Sequence, residues 1–170
     1  MTADQIFEIV NLVALASWIV LAVSPWLSAP GVSAGARAPA LLRMASSAGA
    51  KAPALRVAQS VTGTIVPILL AAVYVAVIAA NWRGSEGGFS SLPDVAALFR
   101  NPWLLLAGWT HYLVFDLLIG NWEVRDARAR HVPAVLVLPC LALTFLFGPA
   151  GWLLYVTMRS WRSSSPASAM

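Results

Sequence analysis

His111, Asp116, Asn121 and Glu123 lie within "GWTHYLVFDLLIGNWEVRDARARHVP", a segment otherwise apolar enough to enter a membrane. An imidazole and a carboxyl in an apolar setting could exchange protons with a ligand or mark a proton path across a bilayer. A central Asp costs roughly 2.5–3.5 kcal/mol on insertion scales, so Asp116 is expected to face the interior of a bundle, a partner or water. Trp109, Tyr112, Asp116, Gly120 and Glu123 recur at i, i+3, i+7, i+11 and i+14, which sets a carboxylate among aromatics on one inward face. His111 stands about 140° around that helix from Asp116, at ~100° per residue, so the two can flank one cleft without sharing a line. Taken alone, His111 reads as a histidine donating to a neighbouring carbonyl or carboxylate; beside Asp116 and Tyr112 a functional role is equally open. Glu123 adjoins Arg125 and Asp126 and reads as an interfacial charge in a solvated cluster rather than a catalytic group.

Other chemistries find little support. A metal site wants three or four converging ligands, and only His111, Asp116 and Glu123 are candidates, so no metal site is expected. No Gly-rich phosphate loop, GxSxG elbow or HExxH occurs. The single Cys140 excludes an intrachain disulfide and any CxxC motif. Nothing names a cofactor.

The elements that must position these residues are membrane helices. Hydrophobic residues make up 59% of the 170 and charged residues 11%, against roughly 25% charge in a soluble domain; mean hydropathy is +0.76. The net charge of +4 comes from basic residues scattered singly between apolar runs, so they read as topology signals and no nucleic-acid partner is expected. Of the 11 basic residues all but Lys51 are Arg, and with the abundant Ala this fits a chain encoded by GC-rich bacterial DNA, hence a bacterial inner membrane.

Four apolar stretches, about 6–27, 57–81, 103–122 and 132–158, are each near or above the ~20 residues that cross a bilayer as a helix. The expected fold is an all-α, four-transmembrane-helix bundle forming a single integral membrane domain over 1–170. The first stretch lacks a basic n-region and a cleavage site, so it is expected to remain in the mature protein. Residues 28–56, rich in Ala, Gly, Pro and Ser, read as a flexible loop, and 159–170 as a disordered tail. The loops after the first and third spans carry Arg37, Arg43, Lys51, Arg56, Arg125, Arg128 and Arg130, against Arg83, Arg100, Arg159 and Arg162 on the other side. With four crossings, both termini are predicted non-cytoplasmic.

Small and polar residues recur at helical spacing in the other spans too: Asn11, Leu15, Trp18, Ala22 and Pro25; Ser60, Thr64, Pro67, Ala71 and Tyr74; Cys140, Thr144, Gly148, Gly151 and Tyr155. Close helix packing explains such stripes first. Pro67 and Pro149 should each leave a backbone carbonyl without its helical partner, which a neighbour or water must serve, and such kinks can open a pocket.

"GWTHYLVFDLLIGNWEVRDA" followed by "VPAVLVLPCLALTFLFGPAGWLLYVTMR" resembles the abscisic-acid-deficiency-four-like family, whose plant members are implicated in making neoxanthin from violaxanthin. The pattern runs GW-HYL-FDL-G from Gly108 to Gly120, then P-CL-LTF-FGP-G-LLY---R from Pro139 to Arg159. Weaker similarity includes Phe7, Asn11, Trp18, Pro25, Trp26, Pro67 and Tyr74, so it covers nearly the whole chain except 28–56.

The resemblance implies a small multipass membrane protein acting on, or assisting action on, a carotenoid or related isoprenoid. The plant reaction opens an epoxide with loss of a proton and no net redox change, which needs an acid and a base in a dry apolar pocket. On that basis Asp116 and His111 are the expected catalytic pair of an isomerase, and Trp18, Tyr74, Trp109, Tyr112 and Tyr155 the substrate-binding aromatics. Two other classes stay open: a non-catalytic lipid- or pigment-binding subunit supporting a partner enzyme, and a proton-relay or transport protein using His111 and Asp116. Expected partners are membrane lipids, a carotenoid or isoprenoid ligand, and a partner enzyme or second copy of the chain.

Overall fold

A computed structural model describes residues 1–27, 57 and 59–164. Every regular element among them is helical. In order they are α1 (Ala3–Leu27), a π-helical segment (Val61–Ile65) running into α2 (Val66–Asn81), the short α3 (Leu92–Leu98), α4 (Pro102–Ala129), α5 (Ala134–Phe147) and α6 (Pro149–Ser164). The expected loop 28–56 lies outside the described residues, as does 165–170. Arg159–Ser164 are helical, which corrects the expectation that the tail is disordered from residue 159.

Three helices, Ala3–Ser24, Val61–Asn81 and Pro102–Ala129, are long and apolar enough to cross a membrane. Helix α4 is the axis of the bundle and packs against α1, α2, α5 and α6. Leu104, Ala107, Leu113, Leu117 and Val124 are among its buried residues. Trp109 Nε1 donates to Asn11 Oδ1 at 2.7 Å near one end, and Arg128 Nη2 to the Ser24 carbonyl at 2.8 Å near the other, so α1 and α4 run parallel. Asn121 holds Thr62 while the His111 ring lies tilted against Tyr74, so α2 runs the opposite way.

The π-helical segment is where Pro67 acts. Proline has no N–H and its ring crowds the carbonyl four residues back, and the helix widens just before it: the Val66 N–H reaches the Val61 carbonyl, one residue beyond the α-helical partner. The Thr62 carbonyl thereby freed accepts from Asn121 Nδ2 at 2.9 Å, and Thr62 Oγ1 donates to Asn121 Oδ1 at 3.0 Å. A neighbouring side chain therefore serves the carbonyl that the widened turn releases. The wider turn also rotates the inward face, so Thr62 is buried while Ser60 and Thr64, expected inward by α-helical spacing, are exposed.

The stretch expected as a fourth span is two helices. Helix α5 ends at Gly148, whose φ of 47° and ψ of −97° suit glycine, and Pro149 starts α6 in a new direction. Helix α6 folds back along α5: a Cβ on Gly151 would collide with the backbone N of Thr144 and stand 2.5 Å from the Cys140 carbonyl. At the far end of the return, Arg159 reaches Asp126 at 3.0 Å, and Asp126 lies one turn from the end of α4. Fourteen residues of α5 advance about 21 Å, which carries the turn to the level of Asp116, halfway along α4. Pro149 was expected to kink a continuous helix; with a residue of positive φ before it, it ends one helix and begins another.

The hairpin changes the ends of the molecule as well. Ala3 and Ser164 lie at opposite ends of the bundle, whereas the expectation of two termini on one side required a fourth crossing. Replacing Gly148 by Ala would impose a side chain on a left-handed backbone and set its Cβ 2.8 Å from Asp116 Oδ1. We expect Gly148→Ala to lose about 1–3 kcal/mol of stability. Gly84→Ala, also at positive φ but with nothing within 4 Å of the added carbon, should lose less; thermal unfolding of both in detergent checks this.

Candidate functional site

Along the seam between α4 and the α5–α6 hairpin, carboxyl groups face inward at two levels. Asp116 is 7% exposed and sits against Gly148 at the hairpin turn. Two helical turns further on, Glu123 is fully buried, and its Oε1 accepts from Thr144 Oγ1 at 2.9 Å. The Oδ2 of Asp116 and Oε2 of Glu123 are buried without a hydrogen-bond partner. Glu123 is thus no solvated interfacial charge, as its neighbours Arg125 and Asp126 suggested. The helix turns Arg125 outward and Glu123 onto Thr144, while Asp126 gathers the cations.

That gathering closes the seam at its outer end. Asp126 accepts from the Tyr155 hydroxyl at 2.7 Å and pairs with Arg130 at 2.9 Å and Arg159 at 3.0 Å. The Arg159 guanidinium also lies 5.1 Å over the Trp122 ring, which meets Tyr155 edge-on. Isolated surface pairs are worth little, but here three partners converge on one carboxylate and tie the returning helix to α4.

The expected site residues divide among three places. Tyr112, one turn before Asp116, donates from its hydroxyl to the Phe145 carbonyl at 3.2 Å and interacts with the Asp116 carboxyl. Its ring lines an apolar groove of about 310 Å³ with Asn11, Leu15, Trp109, Phe145 and Leu146. Trp109 also lines a neighbouring groove of about 400 Å³ beside Phe7, Pro102 and Leu105, so the α1–α4 seam offers two adjoining depressions that share one indole. Trp18 and Tyr155 are core residues instead: Trp18 is 5% exposed and packs over Gly120, where a Cβ would come within 2.6 Å, and Tyr155 is fully buried.

His111 and Tyr74 form the third place. His111 is exposed, its ring tilted against Phe115 at 4.6 Å and against Tyr74 at 5.7 Å, in a groove of about 230 Å³ with Trp82, Phe89 and Phe99. The cleft that His111 and Asp116 were expected to flank does not form, because the hairpin fills the side of α4 that carries Asp116 while α2 and the 82–101 segment border His111. Likewise Trp18, Tyr74, Trp109, Tyr112 and Tyr155 do not line a common groove. Among the described residues no group of three or more His, Cys, Asp or Glu is placed to hold a metal ion.

A family model described as ABA DEFICIENT 4-like matches residues 5–155. The chain belongs to that family. No curated protein and no solved structure matches it. In this ABA DEFICIENT 4-like chain the matched region takes in α1, α2, α4, α5 and the first turns of α6, hence the hairpin turn and both buried carboxyls.

Sequence reasoning passed over Glu123, Thr144 and the Thr62–Asn121 pair as parts of the site. The spacing of seven between Asp116 and Glu123 was the available signal, since it returns to the same helix face. If Thr144 serves Glu123, Thr144→Val leaves both carboxyl oxygens without a partner and should cost about 1–3 kcal/mol. In a Glu123→Leu background the same change should cost clearly less, which thermal unfolding of the double-mutant cycle measures.

Proposed function

We propose that this member of the ABA DEFICIENT 4-like family binds a carotenoid or related isoprenoid along the α1–α4 seam and isomerises it by proton transfer through Tyr112 and Asp116. The observation that carries the reading is the Asp116 carboxyl: buried, away from any cation among the described residues, with one oxygen unpartnered, and set directly behind the tyrosine whose ring lines an apolar groove. Intramembrane carboxyls are costly and mark functional paths. A flat, elongated apolar ligand suits two adjoining depressions joined by Trp109.

The chemistry would run without a redox partner. The Tyr112 hydroxyl gives its proton to a strained ring oxygen of the ligand, the C–O bond breaks with its electron pair going to oxygen, and the polyene spreads the positive charge. Asp116 re-protonates the tyrosine. The proton then shed from the adjacent carbon leaves its electron pair behind as a new double bond and passes to Asp116 by way of the Tyr112 oxygen, so protons and electrons balance. The dry surroundings keep water from capturing the cation. A non-catalytic pigment-holding subunit could use the same groove; purified protein with substrate separates the two, because the subunit converts nothing alone.

We place the protein in a bacterial inner membrane as three crossing helices plus a hairpin that enters halfway and returns. The ends of α1, α4 and α6, with the sequence joining α1 to the π-helical segment, then put Arg37, Arg43, Lys51, Arg56, Arg125, Arg128, Arg130, Arg159 and Arg162 on one side, against Arg83 and Arg100. That bias is far stronger than four crossings give, and it makes this side cytoplasmic. Reporter fusions after Met170 should therefore read cytoplasmic and fusions before Met1 should not; a non-cytoplasmic C-terminus would contradict the placement.

Asp116→Asn should insert and purify normally yet lose conversion by at least about 100-fold, the usual scale of a lost proton-transfer group. His111→Gln, in a separate groove, should keep activity within a few-fold. Turnover of carotenoid substrates by the purified variants decides; a fully active Asp116→Asn protein removes the proposed role.

A further inference from the structure

Glu123 has the same unusual surroundings as Asp116, and the proposed chemistry does not use it. Both carboxyls lie on one face of α4, seven residues apart, which is about 10.5 Å along the axis. Both are more than nine-tenths buried, and each keeps one oxygen without a hydrogen-bond partner. From α5, Glu123 is faced by Thr144 and the Cys140 thiol; from α6 the nearest ionisable group is Tyr155, whose hydroxyl is committed to Asp126. Arg130 and Arg159 are drawn to Asp126 at the outer end. Among the described residues no cation contacts either buried carboxyl.

We propose that Asp116 and Glu123 act as one proton-holding pair that accommodates a single negative charge, with Glu123 a positioning residue for Asp116. This rests on the reading of Asp116 as the group that exchanges a proton near the ligand. In a seam with low dielectric response two uncompensated negative charges oppose each other strongly. Asp116 can therefore release its proton only while Glu123 keeps its own. The pair titrates in two separated steps that belong to both residues rather than to either one. Thr144, by donating to one Glu123 oxygen only, fixes the side chain in the seam without neutralising a charge.

The test needs no ligand. The full chain in lipid nanodiscs is titrated while the infrared bands of protonated carboxyls are followed, for wild type, Glu123→Gln and Asp116→Asn. The pair predicts two steps in the wild type and, in each variant, a single step lying at least about one pH unit below the upper wild-type step. If either variant keeps a step at the upper wild-type position, the carboxyls titrate independently and the proposal is overturned. Should Glu123→Gln not accumulate, Glu123→Leu gives the same comparison. Activity separates the two ideas. An inactive Asp116→Asn protein with undisplaced steps sinks the pairing alone, whereas an active Asp116→Asn protein with displaced steps sinks the proton-donor role and leaves the coupling.

Discussion

A single backbone position, Gly148, turns the chain back halfway along α4 and thereby decides what the rest of the molecule can be. Its positive φ ends α5, the proline after it cannot prolong that helix, and the missing side chain lets the turn press on Asp116. Non-helical backbone at membrane depth is tolerable only where protein surrounds it. Here Gly148 is buried, its N–H bonds to the Thr144 carbonyl at 2.8 Å, and its own carbonyl accepts from Gly151 at 3.1 Å. The hairpin is held shut by Gly151, whose lack of a Cβ lets α6 lie on the α5 backbone, and by Asp126, which draws in Tyr155 and Arg159.

The turn and the carboxyls depend on each other. A continuous helix beside α4 would pass Asp116 with side chains, whereas the glycine turn presents backbone and leaves room for a carboxyl group. Once the hairpin covers that side of α4, Asp116 and Glu123 are buried, and Arg130 and Arg159 are held at Asp126. Tyr112 is the remaining connection between this sealed seam and the groove beside α1. The polar chemistry of the protein is thereby concentrated on one strip of α4, while its other faces pack on α1 and α2 or turn outward.

Composition and periodicity made the helices legible, and the inward strip of Tyr112, Asp116, Gly120 and Glu123 could be read from spacing alone. The burial of Glu123 could not, because neighbours in sequence, Arg125 and Asp126, suggested solvent, and only the docking of Thr144 from another helix decides otherwise. The residues 132–158 read as one span because hydropathy does not register direction; the reversal lies in the pairing of a positive-φ glycine with a proline, followed by a glycine at 151. The charge count followed from that reading, since Arg159 and Arg162 join Arg83 and Arg100 only if 132–158 runs on as one helix. The inward stripe of the second span slipped by part of a turn because the π-helical segment before Pro67 breaks the 3.6-residue period on which the spacing argument depends.

The chain doubles back at Gly148, and one distance reports that reversal. Spin labels at Arg125 and Ser160, both exposed, would sit close together at the outer end of the seam if α6 returns, under about 25 Å, whereas a continuous helix from Ala134 would carry residue 160 to the level of Leu104, about 32 Å from Arg125 along the axis. Pulsed electron paramagnetic resonance on the full chain in nanodiscs reads that difference. The hairpin gives the short distance as the dominant population; a dominant distance near the long value is incompatible with the hairpin and with the buried carboxyl seam that depends on it.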